Sequence, residues 1–170
     1  MVDKDLLSIQ EVRALVRAAR KAQPEFAQMS QERVDAVIKA VSEATAAQAE
    51  TLGAMAAEET GFGKPQDKKV KNLLASEKVY ACIRDMKTVG ILSTNSQTKV
   101  VEVAVPVGVI AGIVPSTNPT STTIYKSLIA LKAGNAIVFT PHPSARKCIA
   151  KTVEIIQGAL RSCNVSPDMV

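Results

Sequence analysis

The chain has 170 residues, which fits one domain or an incomplete part of a larger one. Apolar residues make up 46% of it and charged residues 22%, as is usual for a soluble globular protein, and no apolar run is long enough to span a membrane. The net charge of +5 is spread along the chain with no alternation of basic and aromatic residues, which argues against a nucleic-acid-binding protein.

Three cysteines are present, Cys82, Cys148 and Cys163. Their odd number, their irregular spacing and the lack of a C-x-x-C motif argue against a disulfide framework or a metal site and favour a reducing compartment. The first residues lead into an amphipathic helix rather than into a continuous apolar segment, so a secretory signal is not predicted. The sequence therefore indicates a cytoplasmic protein.

Residues 1–92 predict a layer of helices. Ser8 and Glu11 form a capping-box pattern for the first helix, and Pro24 ends or bends it. Ser30 caps the second helix, which Gly61 stops, and residue 67 caps the third. The residues expected to face inward are Val12, Leu15, Val16, Ala19, Val34, Val37, Ile38, Val41, Leu52, Met55, Ala56, Val70, Leu73, Leu74 and Val79.

Residues 93–106 change the pattern. Residues 93–98 are polar and predict a turn. In residues 99–105, Val101, Val103 and Val105 point one way and Val100, Glu102 and Ala104 the other, which predicts a strand with one face exposed or used for pairing.

Residues 107–170 predict a β-α-β-α order. The apolar runs 109–114 and 136–139 are typical of strands buried on both faces. A helix is expected to begin at Thr120 or Ser121, and another at Ser144. This order is the core of a doubly wound parallel sheet in an α/β protein, but two strands are too few for a stable sheet, so we expect the fold to be incomplete in this chain.

Two loops follow these strands, and ligands of open α/β sheets bind beyond the carboxyl ends of the strands. Residues 115–122 and 140–144 are rich in hydroxyl and amide groups, and each loop leads into a helix start, where backbone N–H groups favour anions. A phosphate-bearing cofactor could lie across them. The same residue types are also ordinary helix caps, so this alternative has similar weight.

His142 is the single histidine, and prolines flank it. It is either a polar loop residue or a group that stacks on a base or donates to a phosphate. No nucleophile accompanies it. Cys82 is expected to be a small buried residue, and Cys148 and Cys163 to be partly exposed on the last helix, none of them catalytic. The adjacent pair Glu58 and Glu59 is interpreted as a helix end.

The run PVGVIAGIVPSTNPTST, residues 106–122, resembles the acylating branch of the aldehyde dehydrogenase superfamily. So does the run KAGNAIVFTPHP, residues 132–143. The similarity is greatest to the aldehyde dehydrogenase half of bifunctional aldehyde/alcohol dehydrogenases and to acetaldehyde dehydrogenases of bacterial microcompartments. It extends through residues 59–63, 67–68 and 71–72 to nearly the whole chain.

The resemblance implies a reaction in which an aldehyde, CoA and NAD give acyl-CoA and NADH through a cysteine thioester. The family's catalytic cysteine and catalytic domain lie beyond residue 170, so this chain alone is expected to be inactive. In hydrolytic relatives the first loop reads Pro-Trp-Asn, and its Asn position falls here on Thr117. The oxyanion role is carried to Asn118, one residue later.

The resemblance also implies cofactor contacts from the two loops. They are expected from Pro115, Ser116, Thr117, Thr140, Pro141 and His142. Thr140 stands where hydrolytic relatives carry a ribose-binding Lys, and His142 is expected near the adenosine part of NAD or CoA.

Partners and substrate follow from the same resemblance. Residues 99–105 resemble part of the family's oligomerisation hairpin, which implies a homo-oligomer, and residues 8–23 serve either as a domain helix or as a packing helix for encapsulation. The substrate is a short aldehyde: acetaldehyde, propionaldehyde, succinate semialdehyde and sulfoacetaldehyde all remain open. The alternatives to an enzyme part are a truncated assembly protein and a free-standing nucleotide-binding module.

Overall fold

The computed structural model describes residues 3–170. Its helices are α1 (Lys4–Ala27), α2 (Gln31–Ala47), α3 (Ala49–Thr60), α4 (Pro65–Leu73), α5 (Val79–Ile83), α6 (Pro119–Lys132) and α7 (Arg146–Ser162). Its strands are β1 (Gly90–Asn95), β2 (Val100–Ala104), β3 (Val109–Val114) and β4 (Ala136–Pro141). A π-helical segment, Leu74–Lys78, joins α4 to α5, and short 3-10 helices lie at Pro143–Ala145 and Pro167–Met169.

The strands form two separate pairs. β1 and β2 make an antiparallel hairpin, whereas β3 and β4 are parallel and are connected by α6. The predicted β-α-β-α order of an α/β protein is therefore confirmed. The boundaries placed at residues 92 and 106 remain predictions. The expected turn at residues 93–98 is wrong in its first half, because residues 93–95 belong to β1 and pair with β2, and the turn itself lies at residues 96–99.

The core lies among α2, α6 and α7, with α1 adding its C-terminal half. The apolar stripe predicted at the start of the second helix is confirmed, because Val34, Val37, Ile38 and Val41 are all fully buried. The expectation that this helix runs to Gly61 is wrong, because α2 ends at Ala47 and α3 begins at Ala49. The largest buried side chains here are Phe26, Val34, Val37, Ile38, Leu52, Ile124, Leu128, Leu131, Ile156 and Leu160. This core holds the β3–α6–β4 unit against the helical layer.

The first half of α1 differs from its prediction. The helix begins at Lys4, because the Asp3 side chain accepts a hydrogen bond from the Asp5 amide at 3.0 Å, and Ser8 lies inside the helix instead of capping it. Val12 and Leu15 are exposed rather than buried. This half of α1 therefore presents apolar side chains to solvent in the described part of the chain.

Pro24 does not end α1, which continues to Ala27. A proline inside a helix removes one backbone hydrogen bond and crowds the preceding turn. Here Phe26 is fully buried in the core, and tertiary packing of this kind maintains a helix against a weak local preference.

The inward face predicted for α4 and the segment after it is wrong for two of its four residues, since Leu73 is half-buried and Val79 packs against the core but Val70 and Leu74 do not. Val70 and Leu74 are 64% and 58% exposed, and the buried side chains are instead Lys68 and Asn72. The helix begins at Pro65, so the expected cap at residue 67 is wrong as well. Residues two positions apart lie on nearly opposite sides of a helix, about 200° apart. When Lys68 and Asn72 face the protein, Val70 and Leu74 must therefore face solvent.

The strands are more exposed than expected. Residues 93–95 belong to β1, and both faces of the hairpin are exposed apart from its end at Ala104. In β3 one face is covered, but Ile113 on the other face is 72% exposed, so the expectation of burial on both faces is wrong for this strand. Only β4 pairs with β3 in the described structure.

The start of α7 is capped by a residue from α3. Glu59 Oε1 accepts a hydrogen bond from the Lys147 amide at 2.8 Å, and its Oε2 accepts one from the Cys148 amide at 2.7 Å. Ser144, the expected cap, lies in the preceding 3-10 helix. Burial alone would raise the pKa of Glu59, but these amide hydrogen bonds outweigh burial and hold the pKa below its ordinary value of 4.5.

Helices α3 and α4 approach most closely at Gly53. A Cβ atom added there would lie 2.8 Å from the Lys69 backbone nitrogen and 3.0 Å from the Pro65 carbonyl oxygen. Only a glycine permits this backbone contact, which fixes α4 against α3.

Among the described residues, the helices are all too short or too polar to cross a bilayer.

Replacing Gly53 with Ala tests the α3–α4 contact. Alanine favours a helix, but the clash with backbone atoms should lower the free energy of unfolding by about 1–3 kcal/mol, as overpacking does. Urea denaturation measures it. Gly158→Ala is the matched control, since an added Cβ meets nothing there and should stabilise α7 by about 0.5–1 kcal/mol. Equal effects of the two substitutions would contradict the contact.

Replacing Glu59 with Gln tests the α7 cap. The loss should cost about 1 kcal/mol of unfolding free energy at pH 7, as for other N-terminal caps. Because the folded-state pKa of Glu59 is depressed, its contribution is present above the ordinary pKa of 4.5 and is lost as pH falls through the lower folded value. The difference between wild type and variant should therefore shrink in acid.

The control for this cap is Glu58→Gln, because Glu58 is exposed and accepts no recorded hydrogen bond in residues 3–170. A gap between wild type and Glu59→Gln that stays constant down to the acid transition would show that the Glu59 carboxylate is not the cap.

Candidate functional site

The two predicted loops leave the same edge of the β3–β4 pair. The register aligns Val114, the last residue of β3, with Pro141, the last residue of β4. The His142 amide then donates to the Val114 carbonyl at 3.1 Å. Parallel pairing thus brings residues 115–118 and 142–145 side by side, as ligand loops of open α/β sheets require.

The first loop exposes Pro115 and Thr117, while Ser116 and Asn118 are half-buried. Asn118 stands at the N-cap of α6, but its side chain makes no capping hydrogen bond. Instead its Oδ1 accepts a hydrogen bond from Lys71 Nζ at 2.9 Å. Within residues 3–170 no acceptor is recorded for the Asn118 Nδ2 group, so this group is a donor available to a ligand.

Helix α4 holds this loop through a buried lysine. Lys68 is 5% exposed, and its Nζ donates to the Thr117 carbonyl at 2.9 Å. Burial, helped by the neighbouring charge of Lys71, lowers the pKa of Lys68. The first loop is therefore fixed by side chains far away in sequence.

Asn72 anchors α4 itself. It is fully buried, its Nδ2 donates to the Ala49 carbonyl at 3.0 Å, and its Oδ1 accepts from the Thr120 hydroxyl at 2.7 Å. The Asn72 carbonyl accepts from the Ser76 hydroxyl at 2.8 Å. Helices α3, α4 and α6 thus share one buried polar network, and a fully satisfied network of this kind specifies a single arrangement.

The second loop presents exposed side chains. Thr140 and Pro141 belong to β4 rather than to the loop, and Thr140 is exposed. The His142 Nδ1 atom accepts from the Ser144 amide at 3.2 Å and lies 2.8 Å from the Ser144 hydroxyl. A neutral imidazole that accepts at Nδ1 carries its proton on Nε2, which leaves Nε2 as a hydrogen-bond donor.

The two helix starts differ in their capacity for an anion. At the start of α7 the Lys147 and Cys148 amides already bind the Glu59 carboxylate, so the expectation of an anion site there is wrong. At the start of α6 the amides of Thr120 and Ser121 have no recorded acceptor in the described part of the chain. A negative group would therefore lie towards α6.

The three cysteines differ in burial, and one of them lies beside the second loop, where the Cys148 thiol donates to the Ala145 carbonyl at 3.4 Å. Cys148 is fully buried, which corrects the expectation of partial exposure, and burial together with the Glu59 carboxylate raises the pKa of its thiol to about 12. Cys82 is exposed on α5, where a buried position was predicted, and Cys163 is half-buried as expected. Within residues 3–170 no cluster of three potential metal ligands forms.

Two open cavities flank the loops. One, of about 350 Å³, lies beside Asn118 and is lined by Lys71, Leu74, Ser121 and Tyr125 among others. The other, of about 390 Å³, is lined by Met55, Glu58, Glu59 and Lys147. A more apolar groove between α1, β4 and α7 is lined by Pro141 and Arg146 at the ends of the second loop, but Asn118 does not line it, which makes it a weaker candidate.

Sequence reasoning did not assign roles to Lys68, Lys71, Asn72 and Glu59. The spacing of Lys68, Asn72 and Ser76 is the signal that was available, because polar residues four apart form one helix face. No local signal identifies Glu59, whose partners are 88 and 89 residues away.

Comparison with known proteins identifies the family. The profile described as "Aldehyde dehydrogenase family" matches residues 5–166. The bifunctional aldehyde-alcohol dehydrogenase AdhE of Escherichia coli K12 is 42% identical over 163 residues, which are 96% of this chain and 18% of that protein. The chain therefore spans under a fifth of this relative.

Solved structures agree with the fold. A probable aldehyde dehydrogenase from Listeria monocytogenes is 54% identical with a TM-score of 0.97, and an acetylating aldehyde dehydrogenase from Geobacillus thermoglucosidasius is 48% identical with a TM-score of 0.96. Each match covers 99% of this chain and 37% of the other.

Two of three more distant structures have a ligand bound. A propionaldehyde dehydrogenase from Rhodopseudomonas palustris, 31% identical with a TM-score of 0.80, has propionyl-CoA bound, and the match covers 93% of this chain and 35% of that one. An engineered glycolyl-CoA reductase, 29% identical with a TM-score of 0.76, has NADP+ bound, and the match covers 93% and 36%. A propionaldehyde dehydrogenase from a Clostridium phytofermentans microcompartment is 32% identical with a TM-score of 0.74, over 91% and 35%.

The matched residues, the overlaid fold and the two loops at one sheet edge agree, and the chain belongs to the aldehyde dehydrogenase family, where it corresponds to the N-terminal region of acylating members.

Proposed function

We propose that this chain serves as the N-terminal part of a CoA-acylating aldehyde dehydrogenase that converts a short aldehyde, CoA and NAD into acyl-CoA, NADH and a proton. The observation that carries the proposal is the meeting of the 115–118 and 142–145 loops at the carboxyl edge of β3 and β4. The Geobacillus relative, described as acetylating, supports the reaction class.

Asn118 is the proposed oxyanion donor. Its Nδ2 group has no recorded acceptor in the described structure, while Lys71 occupies its oxygen. A donor preorganised in this way stabilises the negative charge that develops on the aldehyde oxygen when a thiolate attacks the carbonyl carbon. We propose that the thiolate comes from a cysteine outside these residues. Cys148 is fully buried and the pKa of its thiol is raised to about 12, while Cys82 lies on α5 and Cys163 at the end of α7, neither of them in a loop next to Asn118.

The residues present fit a dinucleotide or CoA phosphate. The α6 amides of Thr120 and Ser121 have no recorded acceptor within residues 3–170, and His142 Nε2 is a further donor on the neighbouring loop. The other residues proposed to contact the cofactor are exposed or half-buried: Pro115, Ser116, Thr117, Thr140 and Pro141. NAD, when bound, supplies the hydride acceptor, and CoA supplies the thiol that receives the acyl group.

The proposal extends to assembly and location. The β1–β2 hairpin exposes apolar side chains on both faces, which favours pairing with a second copy of the protein; these are Ile91, Leu92, Val100, Val101 and Val103. We place the protein in the cytoplasm, with a microcompartment interior as the narrower alternative. Acetaldehyde is the proposed substrate, and the other short aldehydes named above compete with it.

The intact mass and the activity of the natural protein test this function together. We expect a single polypeptide heavier than the 18.0 kDa of this chain that forms NADH only when both CoA and aldehyde are present. Asn118→Ala should lower kcat by about 10²–10³-fold, as loss of an oxyanion donor does. Asn118→Asp should lower it similarly, because a carboxylate still accepts from Lys71 but donates no N–H.

A natural mass equal to that of this chain would refute the enzyme and favour an assembly or nucleotide-binding protein. Full activity of Asn118→Asp would refute the oxyanion role alone.

Replacing His142 with Ala tests the second loop. Loss of a hydrogen bond to a charged phosphate should raise the Kd for NAD or CoA by about tenfold, as measured by calorimetry. Ser144→Ala is the control, because it keeps the imidazole and removes only its neighbour's hydroxyl group. An unchanged Kd in His142→Ala would remove this loop from the nucleotide site.

A further inference from the structure

Helix α4 presents two lysines, Lys68 and Lys71, to the loop between β3 and α6. They lie three positions apart, on one side of the helix, and each donates to a different residue of the loop: Lys68 to the Thr117 carbonyl and Lys71 to Asn118 Oδ1, both at 2.9 Å. Neither the β3–α6 loop nor α6 itself supplies a partner for the Asn118 side chain.

The identity of the donor fixes the orientation of the carboxamide. An ammonium group has three donors and no acceptor, so the atom of Asn118 that faces Lys71 must be the oxygen. The Nδ2 group therefore points away from α4. Without Lys71, rotation about the last side-chain torsion would exchange the two ends of the amide freely.

The choice of partner distinguishes Lys71 from an ordinary surface charge. Lys69, two positions earlier on α4, pairs with the Glu50 carboxylate at 2.7 Å. Lys71 makes no such ion pair within residues 3–170, and its ammonium group donates instead to the neutral amide of Asn118. An ammonium on the amide oxygen also draws electron density from the amide and strengthens its N–H donors.

Helix α4, which carries Lys71, is held in place by contacts with α3, α6 and the β3–α6 loop. Lys68 is buried beside Lys71, Asn72 is bonded to both α3 and α6, and Gly53 brings the α3 backbone against α4. Positioning to within a fraction of an ångström needs a support of this kind.

We propose that Lys71 is a positioning residue, whose ammonium holds the Asn118 carboxamide with its N–H groups turned towards the reacting aldehyde oxygen. Its catalytic consequence rests on the proposed function, whereas the orientation of the amide does not.

A double-mutant cycle in the natural, full-length protein measures the catalytic consequence. Lys71→Met should lower kcat by about tenfold, the value of one hydrogen bond to a charged group, and leave the KM values for NAD and CoA within about twofold. Combined with Asn118→Ala, it should have no further effect, because the group it positions is gone. Lys69→Met is the matched control on the same helix and should behave as wild type.

Two kinetic results would overturn the proposal. If the effects of Lys71→Met and Asn118→Ala multiply, the two residues act independently. If Lys71→Met raises the KM for NAD or CoA with kcat unchanged, Lys71 contacts a phosphate instead.

A second readout is independent of activity. With nitrogen-15 introduced only at asparagine, the Asn118 carboxamide is the signal pair lost in Asn118→Ala. Lys71→Met should shift this pair in the NMR spectrum, and Lys69→Met should not. If Lys71→Met leaves this signal pair unmoved, the proposal is overturned even when the enzyme is active. If the pair shifts but Asn118→Ala keeps full kcat, the orientation of the amide stands and the oxyanion role is rejected.

Discussion

The parallel pairing of β3 with β4 is the constraint on which the site depends. Because the register matches Val114 with Pro141, the two chain segments that follow must emerge together at one edge. Hydrogen bonding from the His142 amide to the Val114 carbonyl extends this pairing by one residue beyond the strands. Backbone pairing therefore sets the distance between the two loops. The side chains of the loops determine which ligand groups they can contact.

The helices supply what the strand pair cannot. No helix covers the face of β3 that carries Ile113 in the described structure, as the exposure of that side chain shows. Stability comes instead from the cluster among α2, α6 and α7, which holds α6 and so fixes the direction in which its first turn points. The buried network of Asn72 then ties that first turn to α4. Apolar packing and the hydrogen bonds of Asn72 thus both fix the first turn of α6.

Strands β3 and β4, the crossover helix and the position of both loops were predictable from the sequence, because apolar runs between prolines and glycines are local signals. Strand β1 was not, because its second half is polar and favours a turn. Periodicity alone misplaced the inward face of α4, where Val70 and Leu74 form a valid stripe but Lys68 and Asn72 find partners inside. The burial of a lysine depends on an acceptor contributed by a distant loop, and no window of sequence contains both. The assignment of Asn118 and His142 to roles came from resemblance, and their contacts came from the fold.

The cap that Glu59 provides for α7 has a consequence for the order in which the chain folds. In the described structure, no side chain near the first turn of α7 accepts from the Lys147 and Cys148 amides. Their acceptor is Glu59, which lies 88 and 89 residues earlier in the chain. Closing so long a loop carries an entropic cost that a nascent helix does not repay by itself. The rest of α7 can therefore form before its first turn does. We expect the Lys147 and Cys148 amides to become protected from hydrogen exchange only after α3 has docked. Their protection would then report that the tertiary structure next to the second loop is complete.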